Sequence, residues 1–199
     1  MSESIACAPA SNPKQTLRES LARRRVDAHR APHAHGALAQ RVLAALDACA
    51  PRSVGFYWPL PGEFDARGTI AAWLADDARR QAALPVIETP RAPLAFHIWT
   101  PDAPMREGRH RIPEPASGAP IVPDLLLIPC VGFDDACFRL GYGGGYYDRT
   151  LAAWPGGRRP MTIGIAYDAC GVPELPRDAH DLPLDWIVTE TRTCRAMPG

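Results

Sequence analysis

The feature that most constrains the fold is an apolar run at residues 124–133, DLLLIPCVGF. Continuous runs of this kind are typical of a central strand that is buried on both faces of a parallel sheet. A glycine-rich stretch, RLGYGGGYYDR, follows at residues 139–149. Ligands of α/β sheets bind beyond the carboxyl ends of the strands. The sequence therefore places a candidate site shortly after its most buried strand.

Helical and extended patterns alternate along the rest of the chain. The spacing of apolar residues predicts helices at 14–30, 36–49, 66–80 and 144–154, and strands at 53–58, 82–88, 94–99, 124–133, 161–167 and 185–190, with a long loop over 100–123. On the first helix, which Pro13 opens, Leu17, Leu21 and Arg24 are predicted to share a face. This order favours an α/β protein with a mostly parallel sheet and helices on both faces, which makes three layers.

Length and composition narrow the class of protein. The chain has 199 residues and no obvious linker, so we expect a disordered lead at 1–13 and a single domain at 14–199. Lys and Arg total 22, as do Asp and Glu, so the formal net charge is zero. The chain therefore has no net charge that would attract it to nucleic acid or to an anionic membrane. No segment approaches the ~20 apolar residues of a membrane span, and the N-terminus lacks the pattern of a signal peptide. We expect a cytoplasmic protein with reduced cysteines, since none of the six forms a C-x-x-C pair.

The glycine-rich stretch has the composition of an anion-binding loop. Its four glycines allow positive φ and a close approach of the backbone to a ligand, and successive N–H groups can form a nest for phosphate. Arg139 adds a full positive charge, and Asp148 could hold Mg²⁺ between phosphates. The loop is not a Walker A motif, because no GKS or GKT follows it, and Tyr146 replaces the third glycine of a dinucleotide fingerprint.

RLGYGGGYYDR resembles the signature of the 5-formyltetrahydrofolate cyclo-ligase family, also called methenyltetrahydrofolate synthetases. Other segments resemble that family in the same order along the chain, over about residues 14–190. They are KQTLR (14–18), FYWPLPGEFD (56–65), LPVIE (84–88), GRHRIPEP (108–115), PDLLLIPCVGFD (123–134) and IGIAYDACGVPELPRDAHDLPLDWIVTE (163–190). The implied fold is NagB/RpiA/CoA-transferase-like, which is consistent with the α/β pattern.

The resemblance implies two substrate sites and a metal site. Lys14 and Arg139 would act on the transferring phosphate as catalytic residues. ATP would contact Lys14, Arg18, Arg139, Leu140, Gly141, Tyr142, Gly143, Gly144, Gly145, Tyr146 and Tyr147. The folate would contact Leu60, Glu63, His110, Tyr142, Gly143, Gly144, Gly145 and Tyr146. Mg²⁺ would be held by Asp148 and Asp181. His110 and Arg111 stand where the family often has an aromatic residue and glycine, which leaves the folate preference there open.

The reaction implied by the family converts 5-formyltetrahydrofolate and ATP to 5,10-methenyltetrahydrofolate, ADP and phosphate. Its partners would be the reduced folate and ATP, with Mg²⁺ as cofactor, and not nucleic acid or a membrane. We expect a monomer or a weak homodimer.

Three other functions fit parts of the sequence. A related protein could bind nucleotide or folate without cyclising it, although Glu63, Arg139, Asp148 and Asp181 are intact. A phosphosugar isomerase or acyl-CoA transferase could use the same fold, but would act without ATP. A nucleic-acid binder could use the basic runs at 22–25 and 79–80, but the zero net charge argues against it.

Overall fold

The computed structural model describes residues 13–157, 159–178 and 181–197. Most of the predicted lead, residues 1–12, lies outside the described residues, and Pro13 is the first residue of α1. The helices are α1 (Pro13–His29), α2 (Ala34–Cys49), α3 (Arg67–Asp76) and α4 (Tyr146–Ala152). The strands are β1 (Ser53–Gly55), β2 (Gln81–Val86), β3 (Ala95–Trp99), β4 (Met105–Glu107), β5 (Pro113–Pro115), β6 (Pro120–Ile121), β7 (Leu125–Pro129), β8 (Gly132–Asp134), β9 (Arg139–Leu140), β10 (Met161–Ile165), β11 (Gly171–Val172), β12 (Trp186–Val188) and β13 (Thr193–Arg195).

The main sheet has the strand order β13-β12-β10-β7-β1-β2-β3-β6. Its five inner strands, from β12 to β2, pair in parallel, and β13, β3 and β6 add antiparallel edges. In the central register, Leu127 lies opposite Ile163, which in turn lies opposite Trp186. The predicted mostly parallel α/β sheet is therefore confirmed.

Strand β7 occupies the centre because its side chains are apolar on both faces. Leu125 and Leu127 pack in one core cluster with residues of α2 and α3, such as Leu38. Leu126 and Ile128 pack in a second cluster on the opposite face, which includes residues of α4. Helices thus cover both faces of the sheet, as the sequence predicts.

The main differences from the sequence prediction lie in three regions. The segment 100–123 is not a continuous loop, because it contains β4 and β5, which form a separate hairpin, and β6 at the sheet edge. The apolar run 124–133 contains two strands, β7 and β8, which belong to different sheets. Strand β13 follows the strand that was predicted to be last. Strands of two or three residues are too short to show an alternation of apolar and polar residues.

The buried face of α1 also differs from the prediction at one position. Leu21 and Arg25 are buried, whereas Arg24 is exposed and Leu17 is partly buried. Residues four apart lie on the same side of a helix, so Arg25 follows Leu21 toward the interior. An apolar-spacing rule overlooks this position because arginine is usually a surface residue.

The described residues contain no membrane-spanning helix and no disulfide. None of their helices is both long and apolar enough to cross a bilayer. Their five cysteines are free thiols, of which Cys130, Cys137 and Cys170 are buried. Burial raises the pKa of Cys130 to about 12, so its thiol stays protonated at neutral pH.

Gly164 in β10 offers a test of the packing between β10 and β12. A Cβ atom at this position would lie 2.5 Å from Ile187 Cδ1, 2.8 Å from Leu184 Cδ1 and 2.9 Å from Cys130 Sγ. We expect Gly164→Ala to lower the free energy of unfolding by about 1–3 kcal/mol, measured by urea denaturation. Gly36→Ala in α2 is the control, since it meets no atom within 4 Å and replaces a poor helix former. Equal stability of the two variants would contradict this account.

Candidate active site

A cavity of about 560 Å³ opens beyond the carboxyl ends of the central strands. Tyr57 and Trp58 follow β1, Ile87 follows β2, and Pro129 ends β7, and all four line the cavity. The structure brings every sequence-predicted site residue to this cavity. These residues are Lys14, Arg18, Leu60, Glu63, His110, Arg139, Leu140, Gly141, Tyr142, Gly143, Gly144, Gly145, Tyr146, Tyr147, Asp148 and Asp181.

The glycine-rich loop runs from β9 to α4 along one wall of the cavity. Gly143 and Gly145 have φ values of 88° and 65°, a region that favours glycine. The Nε of Arg18 donates a hydrogen bond to the carbonyl oxygen of Gly141 at 2.8 Å. A Cβ atom on Gly143 would lie 3.3 Å from Cζ of Arg18. Glycine at this position therefore lets the arginine of α1 lie directly against the loop.

Lys14 lies one turn before Arg18 on α1 and also faces the cavity. Its Nζ donates hydrogen bonds to Asp178 at 2.6 Å and to Asp181 at 2.7 Å. Burial alone would lower the pKa of Lys14, but the hydrogen bonds to the two aspartates outweigh it and raise that pKa. Lys14 is therefore a full positive charge at neutral pH.

Arg139 lies in β9, at the start of the glycine-rich stretch, and also lines the cavity. Its side chain is only 7% exposed and forms a short ion pair with Asp148, which is 39% exposed. Asp148 lies in the first turn of α4. Both predicted magnesium ligands, Asp148 and Asp181, are thus paired with a cation that was predicted to bind phosphate.

Glu63 forms the buried polar end of the cavity, with 4% of its side chain exposed. Its Oε2 accepts a hydrogen bond from the backbone N–H of Leu60 at 2.7 Å, and its Oε1 accepts a short one from the Tyr142 hydroxyl. Burial raises the pKa of Glu63, while the Leu60 and Tyr142 hydrogen bonds and the charge of Arg25 oppose that rise. A buried carboxylate with free lone pairs is suited to binding N–H groups of a ligand.

The cavity also has an apolar and aromatic part to its lining. Trp58, Ile87, Leu94 and Ile112 line the cavity together with the glycine-rich loop. His110 packs edge-to-face against Tyr146, with ring centroids 6.4 Å apart. Such walls suit a flat heterocyclic ligand, because aromatic rings pack favourably in stacked and edge-to-face arrangements.

Sequence reasoning missed several residues of the site. Asp178, Arg109, Trp58 and Glu114 line the cavity, and Arg25 contacts two of its residues. Arg25 could have been found, because it lies seven positions after Arg18 and so shares its helix face. The cavity-lining residues that follow strands carry no local signal, since only the assembly of the sheet brings strand ends together.

The geometry defines an α/β protein with a cavity beyond the carboxyl ends of its parallel strands. Lys14, Arg18 and Arg139 form the cationic wall of this cavity, and the buried carboxylate of Glu63 accepts a hydrogen bond from Tyr142 of the glycine-rich loop. The family model of the 5-formyltetrahydrofolate cyclo-ligase family matches residues 10–190, and the chain belongs to that family.

Curated relatives and a solved structure agree with this assignment. A 5-formyltetrahydrofolate cyclo-ligase from Haemophilus influenzae is 30% identical over 158 residues, which cover 76% of this chain and 82% of the relative. One from Escherichia coli K12 is 33% identical over 147 residues, covering 70% and 79%. The NMR structure of Aquifex aeolicus 5,10-methenyltetrahydrofolate synthetase superposes with a TM-score of 0.76 and 28% identity, and the match covers 94% of each chain.

The contact between Arg18 and the loop makes a specific prediction for Gly143. We expect Gly143→Ala to lower the free energy of unfolding by about 1–2 kcal/mol, since alanine is strained at positive φ. It should also weaken the binding of inorganic triphosphate in calorimetry, because the added Cβ displaces the Arg18 guanidinium. Gly141→Ala is the matched control within the loop, since its Cβ meets no atom within 4 Å. Equal triphosphate affinity in the two variants would contradict the role of this contact.

Proposed function

We propose that the chain catalyses the ATP-dependent cyclisation of 5-formyltetrahydrofolate to 5,10-methenyltetrahydrofolate, with release of ADP and phosphate. The observation that carries the proposal is one cavity that combines the cationic wall with a buried carboxylate, Glu63. A polyphosphate and a pterin would be bound side by side in such a cavity. Membership of the cyclo-ligase family supports the same reaction.

ATP would lie along the glycine-rich loop. Its phosphates would be bound by Lys14, Arg18 and Arg139, and by N–H groups of the loop from Leu140 to Tyr147. Arginine and lysine bind phosphate strongly where burial limits their hydration. Each of these three cations already lines the cavity, where it would exchange its present hydrogen-bond partners for phosphate oxygens.

The folate would place its pterin ring against Glu63 and Leu60. The carboxylate would accept hydrogen bonds from the amino group and ring N–H of the pterin. The remainder of the molecule would lie between the apolar wall and the glycine-rich loop, from Tyr142 to Tyr146, with His110 at its edge. This arrangement would bring the formyl group toward the end of the phosphate chain.

A magnesium ion that is shared with ATP would be held by the carboxylates of Asp148 and Asp181, which both line the cavity. Asp148 and Asp181 supply the oxygen ligands that Mg²⁺ prefers, and Asp178 lies beside Asp181. The described residues contain no group of three or more metal-ligating side chains, so the protein alone forms no complete cage there. Phosphate oxygens and water would complete the coordination. Bound Mg²⁺ would neutralise charge on the phosphates.

The chemistry needs no nucleophile from the protein. The formyl oxygen attacks the γ-phosphorus, the bond to the β-phosphate oxygen breaks, and ADP departs. N10 then attacks the activated carbon and loses its proton to solvent, and the bond from carbon to the phosphorylated oxygen breaks to release phosphate. The protein contributes position and charge: Arg139 and Lys14 stabilise the transferring phosphoryl group, and Glu63 fixes the pterin.

The other functions fit the molecule less well. Family membership argues against an isomerase or an acyl-CoA transferase. In the basic runs, Arg25 is buried, and Arg79 and Arg80 are paired with Asp77 and Asp76. Among the described residues of these runs, only Arg23 and Arg24 of the first run are exposed cations outside an ion pair, which is too few for a nucleic-acid surface. The single domain, the cytoplasmic location and a monomeric or weakly dimeric state remain predictions from the sequence.

The first test follows the near-ultraviolet absorbance of the methenyl product after the protein is mixed with 5-formyltetrahydrofolate and Mg-ATP. The increase should require both ATP and Mg²⁺. Asp148→Asn should lower turnover by at least about tenfold, because a neutral amide binds a cation and orients Arg139 less well. Asp47→Asn, at an exposed position of α2 outside the cavity, is the matched control. No product from the wild-type protein would contradict the proposed function.

A second test concerns Arg139. We expect Arg139→Ala to reduce kcat by about 10²–10³-fold, since it removes a buried cation beside the transferring phosphate. Stability should change little, because the released Asp148 is 39% exposed and can be hydrated. Arg79→Ala, which breaks an exposed Arg–Asp pair, should leave both quantities unchanged. Normal turnover of Arg139→Ala under saturating ATP would exclude its catalytic role.

A further inference from the structure

Arg25 is a buried charge that the proposed reaction does not use. Its side chain is 9% exposed, and it belongs to α1, where Arg23 and Arg24 point to solvent. Burial of a guanidinium is costly unless partners replace its water. The partners of Arg25 therefore indicate why it is buried.

All of these partners lie at the Glu63 end of the cavity. Nη1 of Arg25 donates a short hydrogen bond to the Tyr142 hydroxyl and lies 3.6 Å from Glu63 Oε1. Nη2 donates to the carbonyl oxygen of Pro61 at 3.2 Å. Arg25 thus joins the loop that carries Glu63 to the glycine-rich loop.

Tyr142 lies between the two charges. Its hydroxyl accepts the hydrogen bond from Arg25 and donates one to Glu63 Oε1. The backbone N–H of Leu60 holds the other oxygen of Glu63. The carboxylate is therefore fixed at both oxygens, and its remaining lone pairs are available to a ligand.

Arg25 is also the charge that favours the ionised form of Glu63. Burial raises the pKa of Glu63, and the Leu60 and Tyr142 hydrogen bonds and Arg25 oppose this. The other titratable groups near Glu63 are the hydroxyls of Tyr57, Tyr147 and Tyr167, the Cys130 thiol and the His29 ring. The tyrosines and the thiol are neutral at pH 7, because burial raises each of their pKa values.

We propose that Arg25 is a positioning residue for the folate: directly and through Tyr142, it holds the Glu63 carboxylate in the orientation and charge state that the pterin requires. Arg25 need not touch the substrate. This inference rests on the proposed function, since it assumes that Glu63 binds the pterin.

A purely structural role for Arg25 predicts something different. Helix α1 is also fixed by Leu21, which is fully buried, by Arg18 on Gly141, and by His29, whose Nδ1 lies 3.1 Å from the Tyr167 hydroxyl. If Arg25 only anchored the helix, its loss would affect ATP and folate alike, because Lys14 and Arg18 belong to the same helix.

The test compares Arg25→Gln with Arg24→Gln, the same change at the adjacent exposed position. In Arg25→Gln we expect the KM for 5-formyltetrahydrofolate to rise about 10- to 100-fold, and the KM for ATP to change less than about twofold. Without the cation, Glu63 takes up a proton at higher pH, so the acidic limb of the kcat/KM profile should move to higher pH. Arg24→Gln should match the wild type in all three measurements.

A double-mutant cycle separates action through Glu63 from other effects. On a Glu63→Gln background, Arg25→Gln should raise the folate KM little further, because the carboxylate that it positions is absent. Tyr142→Phe removes the hydroxyl bridge without burying an unpaired charge, and should raise the folate KM and shift the acidic limb in the same direction. This variant provides the test if Arg25→Gln does not fold.

Two results would overturn the inference. One is an unchanged folate KM and an unchanged acidic limb in Arg25→Gln, or in Tyr142→Phe where that variant carries the test. The other is an equal rise in both KM values. A wild-type protein that forms no product would instead refute the proposed function and this inference with it.

Discussion

The side chains of Leu125, Leu126, Leu127 and Ile128 lie between the two helical layers with at most 1% of their surface exposed. Burial of each such side chain contributes about 1.5–3 kcal/mol to the stability of the fold. Alternate residues along the strand pack against opposite helical layers. Strand β7 therefore needs a position inside the sheet that is covered on both faces, and it lies between β1 and β10. The chain leaves its carboxyl end through β8 and β9 directly into the glycine-rich loop. The location of the site follows from the burial of this strand.

Helix α1 connects the two ends of the cavity. Lys14, Arg18, Leu21 and Arg25 lie on one helix face, at spacings of four, three and four residues. The first two reach the cationic wall, Leu21 packs in the core, and Arg25 reaches Glu63. One rigid helix thus sets the distance between the groups that we propose for phosphate and for pterin. The proposed phosphate and pterin regions therefore share α1 as a common support.

Three cations in or beside the cavity are paired with carboxylates. Lys14 is bonded to Asp181, Arg139 to Asp148, and Arg25 lies beside Glu63. Pairing lowers the cost of burying each ion when no ligand is bound. The proposed magnesium–polyphosphate ligand would offer an anion to the cations and a cation to the aspartates, and so would replace both members of a pair together. The zero net charge of the chain is therefore compatible with the highly charged ligand that we propose.

The sequence by itself determined the α/β order, the central strand and the glycine-rich loop, because apolar runs and glycine positions are local signals. With the family resemblance, it also named the residues from Lys14 to Asp181 that the fold brings together. Only the tertiary structure decided that Arg25 faces inward and Arg24 outward, and that segment 100–123 forms short strands. It also decided the pairing of Asp148 with Arg139. These features depend on which side of a helix meets the sheet and on contacts between distant segments, and neither leaves a local pattern in the sequence.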